Sequence, residues 1–224
     1  MNQVPIGMFC DFDGTISKSD LITSIANEFA GQTGRAIVDR VQRRELSIQS
    51  GVEAIFHSIP SSRLPDIIDY TRSLTVIRDG FDELVQGCIS RGWMFAVVSG
   101  GLDVFVDPVV EPYRDSIKVF CNHLDDTGEH LAIRWMVECD ADCDGGCGLC
   151  KPSVLRQFRS QIQAEVVIGD GVTDLKAAAE ADYVFARDRL RRACDEQGIS
   201  YWPFESLSEI IPILDREVQN QSDL

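Results

Sequence analysis

The chain has 224 residues, enough to bury one good core and carry a smaller inserted domain. Hydrophobic residues make up 44% and charged residues 25%, as in ordinary soluble globular proteins, and no apolar run approaches a membrane span. With 21 basic and 36 acidic residues the formal charge is −15, which argues against broad binding to nucleic acid or anionic membranes. Met1-Asn2-Gln3-Val4-Pro5 lacks a charged region followed by an apolar one, so no signal peptide is expected and a cytoplasmic protein is the default.

The first element is Ile6 to Cys10, an apolar run before an acidic turn, which reads as a buried parallel strand. It leads into Asp11-Phe12-Asp13-Gly14-Thr15. Side chains alternate along a strand, so Asp11 and Asp13 are expected to point the same way from its carboxyl end, and Gly14 lets the backbone turn. Two carboxylates held together there call for a cation or a proton between them. A hard divalent cation with oxygen ligands, Mg²⁺, is the economical explanation.

After Thr15 the pattern turns helical. Ser19 or Asp20 caps a helix from about Leu21 to Ala30, with Leu21, Ile22, Ile25, Ala26 and Phe29 in one apolar stripe. A break at Gly31 to Gly34 precedes a polar helix through Arg35, Arg40, Arg43 and Arg44. Ser47 begins a third helix carrying Ile48, Val52, Ile55 and Phe56; after a break from Pro60 to Pro65, a fourth spans about Asp66 to Ser73. Residues 18–76 therefore read as a small helical insert, and residues 1–17 and 77–224 as the core around it.

The core resumes with a helix from about Phe81 to Arg91, ended by Gly92, and a strand at Phe95-Ala96-Val97-Val98. Ser99-Gly100-Gly101 opens a helix from about Leu102, kinked or ended at Pro108 and Pro112. Ile117 to Phe120 is a third strand. Asn122 to Met136 reads as a β-hairpin turning at Asp125-Asp126-Thr127-Gly128, so a hairpin and a cysteine-rich segment fill about 121–150. A helix from about Pro152 to Phe158, a strand at Val166-Val167-Ile168, a short helix from Thr173 to Glu180 and a strand from Tyr183 to Phe185 follow. Two tail helices lie around Arg189 to Gln197 and Glu205 to Val218. Strands alternating with helices predict an α/β fold with a doubly wound, Rossmann-like parallel sheet, which binds ligands at the carboxyl ends of its strands.

Three further groups stand at such ends or at helix starts. The Ser99 hydroxyl and the amides at Gly100-Gly101 make an anion cradle, or Ser99 simply caps a helix. Lys151 opens a helix, where the dipole disfavours a cation, so it suggests a compensating anion such as phosphate or the Asp11 carboxylate; otherwise it is a surface lysine. Gly169-Asp170-Gly171-Val172-Thr173-Asp174 brings two acids together, one able to ligate a metal and the other to order its surroundings.

Cys10, Cys88, Cys121 and Cys194 lie in apolar or amphipathic segments and read as small core residues. Cys139, Cys143, Cys147 and Cys150 crowd into twelve residues. Three readings stay open for them: a structural Zn²⁺ site, one or two disulfides, which a reducing cytoplasm opposes, and reduced thiols packed in a loop. Asp140, Asp142 and Asp144 add acid without calcium-loop spacing, and His57, His123 and His130 show no mutual pattern and receive no catalytic role.

Asp11-x-Asp13-x-Thr15, Ser99, Lys151 and Gly169-Asp170-x-x-x-Asp174, in that order, resemble the four motifs of the haloacid dehalogenase superfamily in its phosphatase branch. The resemblance covers about residues 6–190. It implies a core of that type and a Mg²⁺-dependent phosphomonoester hydrolase. Asp11 would attack phosphorus to form an aspartyl-phosphate; Asp13 would protonate the leaving oxygen and then deprotonate water. Asp11, the Asp13 backbone carbonyl and Asp170 would hold the metal, supported by Asp174, while Thr15, Ser99, Gly100 and Lys151 bind the phosphoryl oxygens. Residues 18–76 fall where the phosphoserine phosphatase-like branch inserts its helical cap. The charge of −15 counts mildly against an anionic substrate, so positive potential would have to be local.

A finer resemblance runs through Leu46-Ser47-Ile48-Gln49-Ser50-Gly51-Val52, Ile59-Pro60-Ser61-Ser62, Val98 to Val106, Cys121-Asn122-His123 and Cys147 to Val154. These segments are similar to one subfamily, the enol-phosphate phosphatases of methionine salvage. The implied partner is a small phosphorylated metabolite with an apolar methylthio tail. Ile22, Ile25, Phe29 or Phe56 could line a pocket for that tail, or be ordinary helix core; Arg40, Arg43 and Arg44 could add positive field, or form a solvated face. The rival functions are a phosphoserine phosphatase-like enzyme or a phosphotransferase on another small phosphate, and a non-catalytic binding protein on the same fold. The complete set Asp11, Asp13, Lys151 and Asp170 stands against the last. A monomer or a homodimer is expected.

Overall fold

The computed structural model describes residues 5–222. The N-terminal reading on Met1 to Val4 and the last two residues of the core lie outside the described residues. In chain order the elements begin with β1 (Ile6–Cys10), α1 (Leu21–Phe29), α2 (Gly31–Gln42), α3 (Ile48–His57), α4 (Leu64–Leu74) and α5 (Phe81–Arg91). Next come β2 (Met94–Leu102), α6 (Asp103–Val110), β3 (Lys118–Asp125), β4 (Ala132–Arg134) and α7 (Lys151–Phe158). The chain closes with β5 (Ala164–Gly169), α8 (Leu175–Ala178), β6 (Tyr183–Ala186), α9 (Asp188–Gln197), β7 (Trp202–Pro203) and α10 (Ile210–Ser222).

The strands form one sheet in the order β4-β3-β2-β1-β5-β6-β7. All pairings are parallel except β3 with β4. Alternation along the inner strands explains why both faces must be covered. Ile6, Met8 and Cys10 of β1 enter one core with Phe95, Val97, Val166, Ile168, Tyr183 and Phe185. Phe9 enters the other with Ala96, Val98, Val167, Val184 and Ala186. Strands apolar on both faces require helices on both faces, which is the doubly wound α/β arrangement. Among the described residues no helix is long and apolar enough to cross a membrane.

The structure differs from the sequence expectations at several places. Gly31 to Gly34 is not a four-residue break: α2 starts at Gly31, and any side chain on Gly34 would run into the Ala26 carbonyl of α1. Gly34 thus serves close helix packing. The hairpin is real but belongs to the main sheet, with Leu124 opposite Ile133 and β4 as an edge strand. Two-residue β7 was not anticipated, because Trp202-Pro203 carries no strand period and pairs only through Phe185 and Ala186. Ser99-Gly100-Gly101 does not open a helix. These residues lie inside β2, where the register with β3 shifts between Val98 and Leu102, and α6 starts only at Asp103.

Helices α1 to α4 all lie between β1 and α5. The chain leaves and re-enters the core side by side: Ser17 bridges Ile77 in antiparallel fashion, Lys18 N donates to Val76 O at 2.8 Å, and Arg78 N donates to Ile16 O at 2.8 Å. Ile25 and Phe56 are fully buried in the core, whereas Ile22 and Phe29 are partly buried against it. Arg40, Arg43 and Arg44 are exposed, as a solvated face would be.

Candidate active site

β1 delivers Asp11 at the centre of the sheet, where its amide donates to Ile168 O of β5 at 2.9 Å. The parallel register that sets Cys10 against both Val97 and Ile168 brings the loops after β1, β2 and β5 to one edge of the sheet. From α7, Lys151 reaches across and donates to Asp11 Oδ1 and to Asp174 Oδ1, both at 2.5 Å. The three side chains are almost fully enclosed, with Asp11 7%, Lys151 5% and Asp174 1% exposed. Lys151 therefore finds two compensating carboxylates despite standing at a helix start.

Asp174 orders its surroundings. Its Oδ2 accepts from the amides of Asp170 at 3.2 Å and Gly171 at 3.0 Å, which closes the turn after β5. Asp170 in turn accepts from the Thr15 hydroxyl at 3.2 Å. The carboxylates of Asp11, Asp170 and Asp174 offer oxygens that all lie within 4.8 Å of one another. Three carboxylates against one lysine leave excess negative charge in a buried place. That charge imbalance and the all-oxygen donor set fit a hard divalent ion.

Asp13 stands apart from that cluster. Its Oδ1 accepts from Leu21 N at 3.3 Å, at the start of α1, so the two aspartates of the first motif do not share partners. The reason is the turn itself, which tightens at Gly14 immediately after Asp13. Gly14 has φ +82, and a Cβ there would run into the Asp170 carboxylate. Gly14→Ala is therefore expected to lose about 1–2 kcal/mol from its left-handed backbone alone, and to displace Asp170. Urea denaturation and Mg²⁺ titration of the variant check both effects.

Burial dominates the titration of the site. Asp11 is pushed up to about 8 by burial, with Asp174 and Asp170 adding repulsion against the pull of Lys151. Asp170 rises to about 6, again by burial and then by Asp174. Burial and the nearby carboxylates of Asp20 and Asp11 hold Asp13 well above the usual carboxylate range. Burial works against the Lys151 charge, but Asp11 and Asp174 outweigh it and raise its pKa.

The Ser99 hydroxyl is fully buried and accepts from Gly101 N at 3.0 Å, folding back onto its own strand. A side chain on Gly100 would meet nothing within 4 Å, so the backbone at this one residue is open to close approach. Asn122, fully buried, holds it in place by donating to Gly100 O at 3.1 Å while accepting from Met136 N at 3.2 Å. A second support that sequence reasoning missed is Arg78. It is buried, and its guanidinium donates to Thr15 O at 2.6 Å and Gly14 O at 2.7 Å, clamping the turn after β1. Nothing local in the sequence marks Arg78; its targets lie more than sixty residues earlier.

The remaining candidates resolve as follows. None of the eight cysteines is in a disulfide. The sulfurs of Cys139, Cys143, Cys147 and Cys150 all lie within 4.8 Å of one another. His57 and His130, unrelated in sequence, bring their rings to 5.7 Å, and His123 pairs with Asp103.

Comparison with known proteins places the site in a family. Residues 8–179 match the haloacid dehalogenase-like hydrolases. The chain belongs to this family. Among relatives of known name, a 2-hydroxy-3-keto-5-methylthiopentenyl-1-phosphate phosphatase of Geobacillus kaustophilus (strain HTA426) is 43% identical, covering 93% of this chain and 95% of its own. One of the same name from Bacillus cytotoxicus (strain DSM 22905 / CIP 110041 / 391-98 / NVH 391-98) is 42% identical over 92% and 94%. Solved structures share the fold. A phosphoserine phosphatase carrying a phospho-aspartyl intermediate analogue superposes with TM-score 0.69 at 21% identity, covering 95% of this chain and 99% of that one. Phosphoserine phosphatase from T. onnurineus gives TM-score 0.68 at 17% identity, covering 95% and 96%. In this haloacid dehalogenase-like hydrolase the match runs from β1 to the end of α8, and so contains Asp11, Asp13, Ser99, Lys151, Asp170 and Asp174.

Proposed function

We propose that the protein is a Mg²⁺-dependent phosphatase that removes phosphate from 2-hydroxy-3-keto-5-methylthiopentenyl-1-phosphate, by way of an aspartyl-phosphate on Asp11. The observation that carries the chemistry is the convergence of Asp11, Lys151, Asp170 and Asp174 at one edge of the sheet. The substrate is taken from the relatives that match nearly end to end. Eight unpaired cysteines fit a reducing compartment such as the cytoplasm.

Asp11 attacks phosphorus, and the leaving enol oxygen takes the proton of Asp13, whose carboxyl burial favours in its protonated form. Asp13 then deprotonates the water that releases phosphate. Lys151, with the open backbone at Gly100, binds the phosphoryl oxygens and stabilises their developing charge. Thr15 orients Asp170 through its hydroxyl. Asp11, Asp170 and the Asp13 carbonyl would hold Mg²⁺, which would supply positive charge against the phosphoryl group. Residues 18–76 act as a cap over the site, and the paired crossings at Ser17 and Ile77 are its hinge. The core is then residues 1–17 and 77–224.

Asp13→Asn is expected to slow phosphate release from the enol phosphate by about 10²–10⁴-fold. With p-nitrophenyl phosphate, whose leaving group needs no proton, a burst of nitrophenolate should precede slow phosphate release. Rapid-quench kinetics checks this; a first-turnover step slowed as much with p-nitrophenyl phosphate as with the enol phosphate would argue against Asp13 as proton donor.

Metal binding should depend on pH with a definite sign. Asp170 and Asp11 have folded pKa values near 6 and 8, above the ordinary 3.8. At these two groups the folded metal-free protein thus holds more protons than the unfolded chain between 3.8 and about 8. The stability that these two groups contribute is greatest at the acid end of that window and falls as pH rises. Mg²⁺ competes with those protons, so its stabilising shift in Tm grows from pH 5.5 to pH 8.5. Thermal denaturation at fixed Mg²⁺ across this range is the check.

The substrate assignment is tested by phosphate release from a panel of esters containing the enol phosphate, phosphoserine and p-nitrophenyl phosphate, with Mg²⁺ and with EDTA. The highest kcat/KM is expected for the enol phosphate, and only with Mg²⁺. Preference for phosphoserine would keep the chemistry and overturn the substrate.

A further inference from the structure

Residues Cys139 to Cys150 lie between β4 and α7 with no helix or strand of their own. Asp140 pairs with Arg156 and Asp144 with Lys176, but few backbone bonds hold the segment. Cys143 N donates to Asp140 O at 3.2 Å, Cys150 N to Val137 O at 3.3 Å, and Gln49 N of α3 to Gly146 O at 3.4 Å. Within the segment only Gly148, Leu149 and Cys150 are buried. So few apolar side chains and backbone bonds offset only part of the entropy of ordering twelve residues. Yet the four thiols converge. Their sulfurs all lie within 4.8 Å of one another, and Cys143 Sγ is 3.7 Å from Cys147 Sγ. Tetrahedral zinc with bonds of about 2.3 Å sets its sulfurs about 3.8 Å apart. Sulfurs this close leave room for a single ion; an iron–sulfur cluster would spread them further.

We propose that Cys139, Cys143, Cys147 and Cys150 bind one zinc ion as a closed tetrathiolate centre that orders this segment. On binding, the four thiols release their protons to solvent, and the centre carries two negative charges. Lys176, which also pairs with Asp144, offsets part of them, with Nζ 3.7 Å from both Cys143 Sγ and Cys147 Sγ. Thiolate ligands select zinc over Mg²⁺, so this centre and the carboxylate cluster take different metals.

The location gives the centre a positioning role, which rests on the proposed function of Lys151. Cys150 is the residue before Lys151 and precedes the first turn of α7. Lys176 stands on α8, two residues after Asp174. The zinc centre therefore braces the lysine from one side and its carboxylate partner from the other. Through Gly146 the same segment touches α3.

The test is the metal content of the full chain, produced with zinc in the medium and desalted in Mg²⁺ buffer. Elemental analysis should find one zinc per chain in the wild type and none in Cys143→Ser or Cys147→Ser. The Co²⁺-exchanged wild type should show the intense visible bands of tetrahedral thiolate cobalt. Wild type without zinc, wild type holding iron instead, or a cobalt spectrum without those bands would overturn the proposal, whether or not the variants fold. Metal content is read independently of phosphate release, so a wrong substrate does not disturb it. The positioning role is read from kinetics of the zinc-depleted wild type: kcat should fall with little change in KM and recover on adding zinc, whereas unchanged kcat would remove that role.

Discussion

Asp11→Asn is expected to lower kcat for phosphate release by at least about 10⁴-fold, the scale of losing a nucleophile that acts within a connected set. The protein should stay folded. Asp11 is a buried carboxyl whose ionisation is opposed by burial and by Asp174 and Asp170. An amide removes that repulsion and leaves Lys151 still paired with Asp174. At pH 9, where wild-type Asp11 is ionised, the metal-free variant should melt at or above the wild-type temperature. It should also show a smaller Mg²⁺-induced shift in Tm. Loss of activity together with gain of metal-free stability separates a nucleophile from a structural aspartate. Paired kinetic and thermal measurements on the one variant decide it.

Lys151→Met should damage both properties. The methionine has similar length but leaves Asp11 and Asp174 buried with no cation. Removing one partner of a buried pair costs about 3–5 kcal/mol, and protonation of Asp11 offsets part of that loss at neutral pH. Activity should fall by about 10²–10³-fold, because charge on the phosphoryl oxygens is no longer met. The double variant Lys151→Met, Asp174→Asn should recover much of the stability, since the buried carboxylate goes with the lysine. It should recover no activity. Urea denaturation of the single and double variants, beside their kcat values, checks the prediction; a double variant as unstable as the single one would mean that Lys151 stabilises by packing rather than charge.

Much of this architecture is legible in the sequence where local pattern and tertiary environment agree. β1 falls at Ile6–Cys10 and α5 at Phe81–Arg91, because each is a short apolar or amphipathic run with unambiguous ends. The loop–strand junctions that carry Asp11 and Asp170 are readable for the same reason. What the sequence conceals is non-local. Gly34 looks like a helix break because its role, letting α2 approach the Ala26 carbonyl, belongs to another helix. Ser99-Gly100-Gly101 looks like a helix start because the register shift that keeps it in β2 is imposed by β3. Arg78 and Asn122 act on backbone carbonyls of distant segments, and a backbone carbonyl leaves no trace in sequence. The partner of Lys151 was readable in part: Asp11 follows from chemistry, but the second bond to Asp174 needs the turn after β5 to be closed first.

The most direct measurement is chemical trapping of the phosphorylated residue. Wild-type protein is mixed with the enol phosphate and Mg²⁺, quenched within one turnover, and treated with borohydride, which reduces an acyl phosphate to an alcohol. Peptide mass spectrometry then locates the reduced side chain. The expected result is reduction at Asp11 alone, dependent on substrate and Mg²⁺ and absent in Asp11→Asn. Reduction at another carboxylate, or none while phosphate is released at full rate, would contradict nucleophilic attack by Asp11.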